Sequence, residues 1–164
     1  MIPSFGIRRT LKNALGLGGR THLKVGQTAP ALDVADADGK VWTLAELRGQ
    51  VAVVYFYPKD DTPGCTREAC EFRDQGRHLG AVVLGVSTDR PESHTAFAQK
   101  FNLGFPLLAD VDGALAKRWG VQDGDVARRV TFVLDREGRI ANVFEPVKVD
   151  GHVWEVKAAV QALP

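Results

Sequence analysis

The stretch Val51-Ala52-Val53-Val54-Tyr55-Phe56-Tyr57 is continuously apolar, β-branched or aromatic, and Pro58 closes it. A short run of this kind is the pattern of a strand covered on both faces. Proline has no N–H to give to a sheet ladder, so the strand ends there. Ala81–Val86 repeats the pattern after an interval that reads as a helix over residues 63–79. Thr62 suits the N-cap of that helix and Pro63 its first turn. Two buried strands joined through a helix imply a parallel pair with a right-handed crossover.

Upstream, Ala31–Ala35, a turn at Asp38-Gly39 and Val41–Leu44 predict a short hairpin, followed by a helical turn over Leu44–Arg48. Downstream, Pro91–Asn102 predicts a helix with Phe97 and Phe101 on one face, then a short strand at Leu107–Leu108 and a short helix at Gly113–Trp119. Val130–Leu134 and Ile140–Phe144 flank a turn containing Gly138 and predict a second hairpin that joins the same sheet. A terminal helix over Val153–Leu163 places Val153, Val156, Val160 and Leu163 on one stripe. The order is that of an α/β protein with a thioredoxin-like fold: a central mixed sheet flanked by helices, with an N-terminal β-hairpin. Trp42, Trp119 and Trp154 are expected as core or edge aromatics.

The 164 residues fit one domain, 45% hydrophobic and 25% charged, and a chain of this size can bury roughly two-thirds of its surface without a metal or disulfide staple. The net charge of +1 gives no reason to expect a nucleic-acid partner, and no apolar run approaches membrane-spanning length, so a soluble, cytoplasmic protein is expected. The charge is uneven. Arg8, Arg9, Lys12, Arg20 and Lys24 give residues 1–24 a charge of +5 without an acid, which leaves −4 for the rest. Ile7, Leu11 and Leu15 repeat every four residues, as in an amphipathic helix. Arg8-Arg9 before Leu11 and Lys12 resembles a twin-arginine signal, but Gly16, Gly18 and Gly19 interrupt the segment after Lys12, and no A-x-A site is present. The preferred reading is a retained basic extension over residues 1–22, ahead of a domain over residues 23–164.

The informative stretch is Pro58-Lys59-Asp60-Asp61-Thr62-Pro63-Gly64-Cys65, with Thr66-Arg67-Glu68-Ala69-Cys70 after it. It lies at the carboxyl end of a central parallel strand, where α/β sheets hold their sites. Cys65 falls at the third helical position. Free amides and the positive end of the helix dipole there favour a thiolate, and the Thr62 hydroxyl is within reach of it. Only two cysteines are present, five residues apart, which points to redox chemistry in a reducing compartment or to half a metal site. Zinc is the poorer choice, because His22, His78, His94 and His152 show no ligand spacing. A Cys-His hydrolase has no specific support. Lys59, Asp60, Asp61 and Glu68 read as solvated loop and helix residues.

Residues 58–65 carry the signature P-x-x-x-T-x-x-C, and the string YPKDDTPGCTREACEFRD resembles the bacterioferritin-comigratory-protein or peroxiredoxin Q branch of the peroxiredoxins. The resemblance covers about Leu23 to Leu163. It implies a thiol peroxidase that reduces hydrogen peroxide and organic hydroperoxides to water and alcohols, in antioxidant defence, with no cofactor and no metal. Cys65 would be the peroxidatic cysteine, passing through a sulfenic acid, and Cys70 the resolving cysteine that closes an intramolecular disulfide with it. Pro58 would shield the thiolate and Thr62 hydrogen-bond it and the peroxide. Arg129-Val130-Thr131-Phe132 fits the R-x-[ST]-F segment of the family, which makes Arg129, rather than Arg128, the arginine beside the thiol. The partners implied are a peroxide substrate and thioredoxin or a glutaredoxin-type dithiol, acting on a monomer. Two alternatives remain open. A thiol-disulfide oxidoreductase on this fold normally carries C-x-x-C, whereas four residues separate this pair, and a non-enzymatic thioredoxin-fold binding module would consume no peroxide.

Overall fold

A computed structural model describes residues 19–164; the amphipathic pattern at Ile7, Leu11 and Leu15 lies outside them. The frame is a five-stranded mixed sheet built from β3 (Ala52–Phe56), β4 (Val82–Ser87), β5 (Leu107–Ala109), β8 (Val130–Leu134) and β9 (Ile140–Phe144). Their spatial order is β5-β4-β3-β8-β9. β3 pairs parallel with β4 and antiparallel with β8, so it is central, and all five of its residues are buried. The period of two divides that burial. Ala52, Val54 and Phe56 enter one apolar cluster, while Val53, Tyr55 and Tyr57 enter the other.

Helices fill both faces. α2 (Pro63–Leu79), α3 (Pro91–Phe101) and α5 (His152–Gln161) supply Phe72, Phe97 and Val156 to the cluster around Tyr55. α1 (Leu44–Leu47) and α4 (Ala114–Arg118) supply Leu47 and Leu115 to the other. The N-terminal hairpin, β1 (Val34–Ala35) with β2 (Val41–Trp42), is shorter than the apolar stretches suggest, and touches the sheet edge through a bridge between Asp36 and Leu108. One element was not expected. β6 (Gln122–Asp123) and β7 (Val126–Ala127) form a two-residue hairpin across Gly124, whose φ of 60° suits glycine. Trp119 is a fully buried core residue, whereas Trp154 stands 59% exposed on α5.

This arrangement brings two distant segments to one end of the sheet. Phe56 lies beside Val130 in the β3–β8 ladder, so Arg129 sits across from the point where β3 runs out into Pro58. Asp60 and Asp61 then turn the chain into α2, Asp61 in the left-handed region with φ 56°.

Candidate active site

α2 opens as the sequence predicts, with Thr62 extended at the N-cap and Pro63 in the first turn. Its first backbone bond runs from Thr66 N–H to the Thr62 carbonyl at 2.8 Å, so the amides of Gly64 and Cys65 precede the helical ladder. The Thr62 side chain does not cap the helix. Its hydroxyl donates to the Lys59 carbonyl at 2.9 Å, which leaves the oxygen's lone pairs as acceptors. Cys65 is buried, on the helix stripe with Ala69, Phe72 and Leu79, and Cys70 is half-buried; both thiols are free. Pro58 is half-buried at the end of β3.

Arg129 reaches Cys65 from the start of β8. Its Nη2 donates to Cys65 Sγ at 3.2 Å, and its Nη1 donates to Glu68 Oε1 at 2.8 Å. A Cβ at Gly64 would stand 3.2 Å from the same Nη2, so a side chain there would press on the guanidinium. Desolvation works against the charge on Arg129, but Glu68 and Cys65 outweigh it and hold the guanidinium firmly protonated. Arg128 turns the other way, donating to Glu145 Oε1 at 3.1 Å and to the carbonyls of Gly120 and Gln122.

Two residues expected in solvent are not there. Glu68 is fully buried, because three residues after Cys65 it falls on the same inward helix face. Its Oε2 has no hydrogen-bond partner among the described residues and lies 3.7 Å from His152 Nε2, which is itself 2.8 Å from Thr131 Oγ1. Asp60 is also buried, accepting from Tyr57 Oη at 2.6 Å and Ser93 Oγ at 2.8 Å and meeting His94 Nδ1 at 2.7 Å. His94 Nε2 meets the Leu108 carbonyl at 2.9 Å, which can only accept, so that nitrogen carries a proton. The Asp60 amide donates to Asp89 Oδ2 at 2.8 Å, and Lys100 Nζ meets Asp61 Oδ2 at 2.7 Å. These contacts tie the loop before Cys65 to α3. Histidines far apart in sequence are thus brought to carboxylates by the fold, His94 to Asp60 and His152 to Glu68.

Glu68 and His152 oppose each other in their response to pH. Burial pushes the Glu68 carboxyl up to about 7, against the pull of Arg129. Burial, with the charge of Arg129, lowers the His152 imidazole to about 4. The raised acid stabilises the fold fully below its ordinary range and loses that contribution as pH rises through 7. The depressed histidine stabilises it above about 6.5 and loses that contribution as pH falls toward 4. Each amounts to about 3 kcal/mol over nearly the same interval, so the two offset in the native chain. Denaturant unfolding from pH 7 to pH 4.5 should therefore show Glu68→Gln losing stability steeply and His152→Gln gaining it. Parallel pH curves for the three proteins would contradict this balance.

The AhpC/TSA family matches residues 25–143 of the chain. A putative peroxiredoxin Bcp of Coxiella burnetii is 45% identical over 145 residues, covering 82% of this chain and 96% of that protein. A chloroplastic peroxiredoxin Q of Populus jackii is 43% identical, covering 84% of this chain and 68% of that protein. Among solved structures, the peroxidoxin BcpB of Mycobacterium tuberculosis superposes with a TM-score of 0.81 at 32% identity, covering 87% of this chain and 99% of that one.

Proposed function

Because the chain belongs to the AhpC/TSA family and is a peroxiredoxin, a thiol peroxidase, we propose that Cys65 is its peroxide-attacking thiolate and Cys70 the thiol that resolves the product. The thiolate attacks the distal oxygen of a hydroperoxide, an S–O bond forms as the O–O bond breaks, and the departing oxygen takes a proton to leave water or an alcohol. The sulfenic acid on Cys65 then condenses with Cys70, releasing water and forming a disulfide. Thioredoxin or a glutaredoxin-type dithiol reduces the disulfide and closes the cycle.

The observation that carries this reading is Arg129 Nη2 at 3.2 Å from Cys65 Sγ, at the carboxyl end of β3. A guanidinium there stabilises the thiolate and meets the charge that grows on the peroxide oxygens as their bond breaks. Thr62, with its proton given to the Lys59 carbonyl, is suited to accept the hydroperoxide O–H, and the role assigned to Pro58, half-buried just after β3, is to shield the thiolate. Among the described residues no helix is long and apolar enough to cross a membrane. We place the enzyme in a reducing compartment, the cytoplasm, as a monomeric peroxidase domain over residues 23–164 with a basic extension before it.

The test is peroxide consumption driven by a thioredoxin system, compared with glutathione and glutaredoxin. Turnover with none of these reductants would overturn the proposed cycle. Arg129→Ala should slow the first oxidation by about 10²–10³-fold, the usual loss for one donor to developing charge. Arg128→Ala should cost about 1–3 kcal/mol of stability through Glu145 and change that rate only a few-fold. If Arg128→Ala proved the slower enzyme, the assignment along β8 would be off by one residue.

A further inference from the structure

Glu68 has no assigned part in the reaction, yet it is fully buried and shares the guanidinium that holds Cys65. Arg129 brings one positive charge to two groups that can each be negative. The other titratable groups facing Glu68 are Glu71 on its own helix, His152 on α5 and Tyr55 on β3. None is a second cation at neutral pH. Burial keeps the Tyr55 phenol protonated and the His152 imidazole neutral, while Glu71 adds to the negative side. With Cys65 and Glu68 both ionised, the buried cluster would hold two anions against one cation, and one of them would lack full compensation. The carboxylate shows where the deficit falls. Oε1 takes the Arg129 bond, but Oε2 is buried without a hydrogen-bond partner among the described residues, 3.7 Å from the closest approach of His152.

Resting on the assignment of Cys65 as the attacking thiol, we propose that Cys65 and Glu68 share one proton across Arg129, so that Glu68 takes up a proton when Cys65 ionises and loses it when Cys65 is oxidised. In the resting enzyme Cys65–SH with Glu68–COO⁻ converts to Cys65–S⁻ with Glu68–COOH. Attack on a hydroperoxide forms the S–O bond, breaks the O–O bond and expels the second oxygen as hydroxide or alkoxide. Sulfur is oxidised and the peroxide reduced. Cys65 is now a neutral sulfenic acid, so Arg129 is left to Glu68 alone, Glu68 ionises, and the proton it held balances the one taken up by the departing oxygen. Glu68 acts through Arg129 and is a positioning residue, not a catalytic one; its role is to keep the buried cluster near neutrality while the thiolate is present.

Two readouts that a merely structural role would not move test this. In a Cys70→Ser background the ultraviolet thiolate absorbance of Cys65, followed against pH, should rise over a broader range than one independent proton requires. Adding Glu68→Gln should collapse it to a single-proton curve displaced by about one pH unit to lower pH. Infrared spectra at neutral pH should show a buried protonated carboxyl band in the reduced Cys70→Ser protein. That band should weaken when Cys65→Ser is added, because a neutral serine leaves Arg129 to Glu68. This second comparison keeps Glu68 in both proteins and so stands even if Glu68→Gln folds poorly. An unshifted thiolate curve in Glu68→Gln, or a carboxyl band unchanged by Cys65→Ser, would overturn the shared proton while leaving Cys65 as the attacking thiol. Peroxide turnover by Cys65→Ser would instead overturn the assignment of Cys65 itself.

Discussion

Serine at position 65 is expected to abolish peroxide turnover, a loss on the order of 10⁴-fold or more, as when the nucleophile of a covalent enzyme is removed. The reason is local. Arg129 Nη2 points at the sulfur of Cys65, and the amides of Gly64 and Cys65 precede the helical ladder of α2. All of these favour negative charge, but a serine hydroxyl does not ionise in their field at neutral pH, and oxygen is the poorer nucleophile toward peroxide. Cys70 cannot substitute, because it projects from another face of α2 and makes no contact with Arg129 among the described residues. Cys70→Ser should behave differently. It should complete one oxidation, accumulate the Cys65 sulfenic acid and pass more readily to the irreversible sulfinic and sulfonic acids. Stopped-flow peroxide loss and mass spectrometry of the oxidised chains separate the two variants. Native-like turnover in Cys65→Ser would remove the proposed mechanism.

The sheet and the outward course of the chain were legible because their signals are local. A continuous apolar run, a terminating proline and a Thr-Pro helix start identify β3 and α2 without reference to anything distant. β6 and β7 were missed because two residues cannot display a period, and only the Asp123-Gly124-Asp125 turn marked them. Asp60 and Glu68 were misread for another reason. An acid's expected place is in solvent unless a partner is known, and their partners are His94, Tyr57 and Arg129, between 3 and 61 residues away. For Glu68 a signal was available. A residue three positions after Cys65 must share its helix face, and a carboxylate on a buried face requires a cation. His94 carried no comparable signal, since only the docking of α3 against the loop after β3 brings it to Asp60.

Closing the disulfide should melt the first turns of α2. Cys65 and Cys70 both lie within the helix Pro63–Leu79. Five residues of α-helix give a rise of about 7.5 Å and a net rotation of about 140° on a cylinder of radius about 2.3 Å, so their Cα atoms stand roughly 8.6 Å apart. A disulfide needs about 4.4–6.8 Å with the side chains converging, whereas here Cys65 faces the core and Cys70 its edge. The melting must give up the Arg129–Glu68 pair, the Arg67–Asp150 pair and the burial of Cys65 and Ala69. Oxidation itself removes a further tie, because a neutral sulfenic acid on Cys65 no longer attracts Arg129 as the thiolate did. The far half of α2 has independent anchors. Arg73 donates to the Phe101 carbonyl, Lys157 to Gln75, and Leu79 is buried. The loop before Pro63 is held by Asp60 to His94 and Asp89. Unfolding is thereby confined to about residues 63–72. Amide hydrogen exchange at residues 66–72 should be faster in the disulfide form by about two orders of magnitude, equivalent to roughly 2.7 kcal/mol of lost local stability, with the amides of residues 76–79 unchanged. Equal protection in the two redox states would overturn the opening of α2 on disulfide formation.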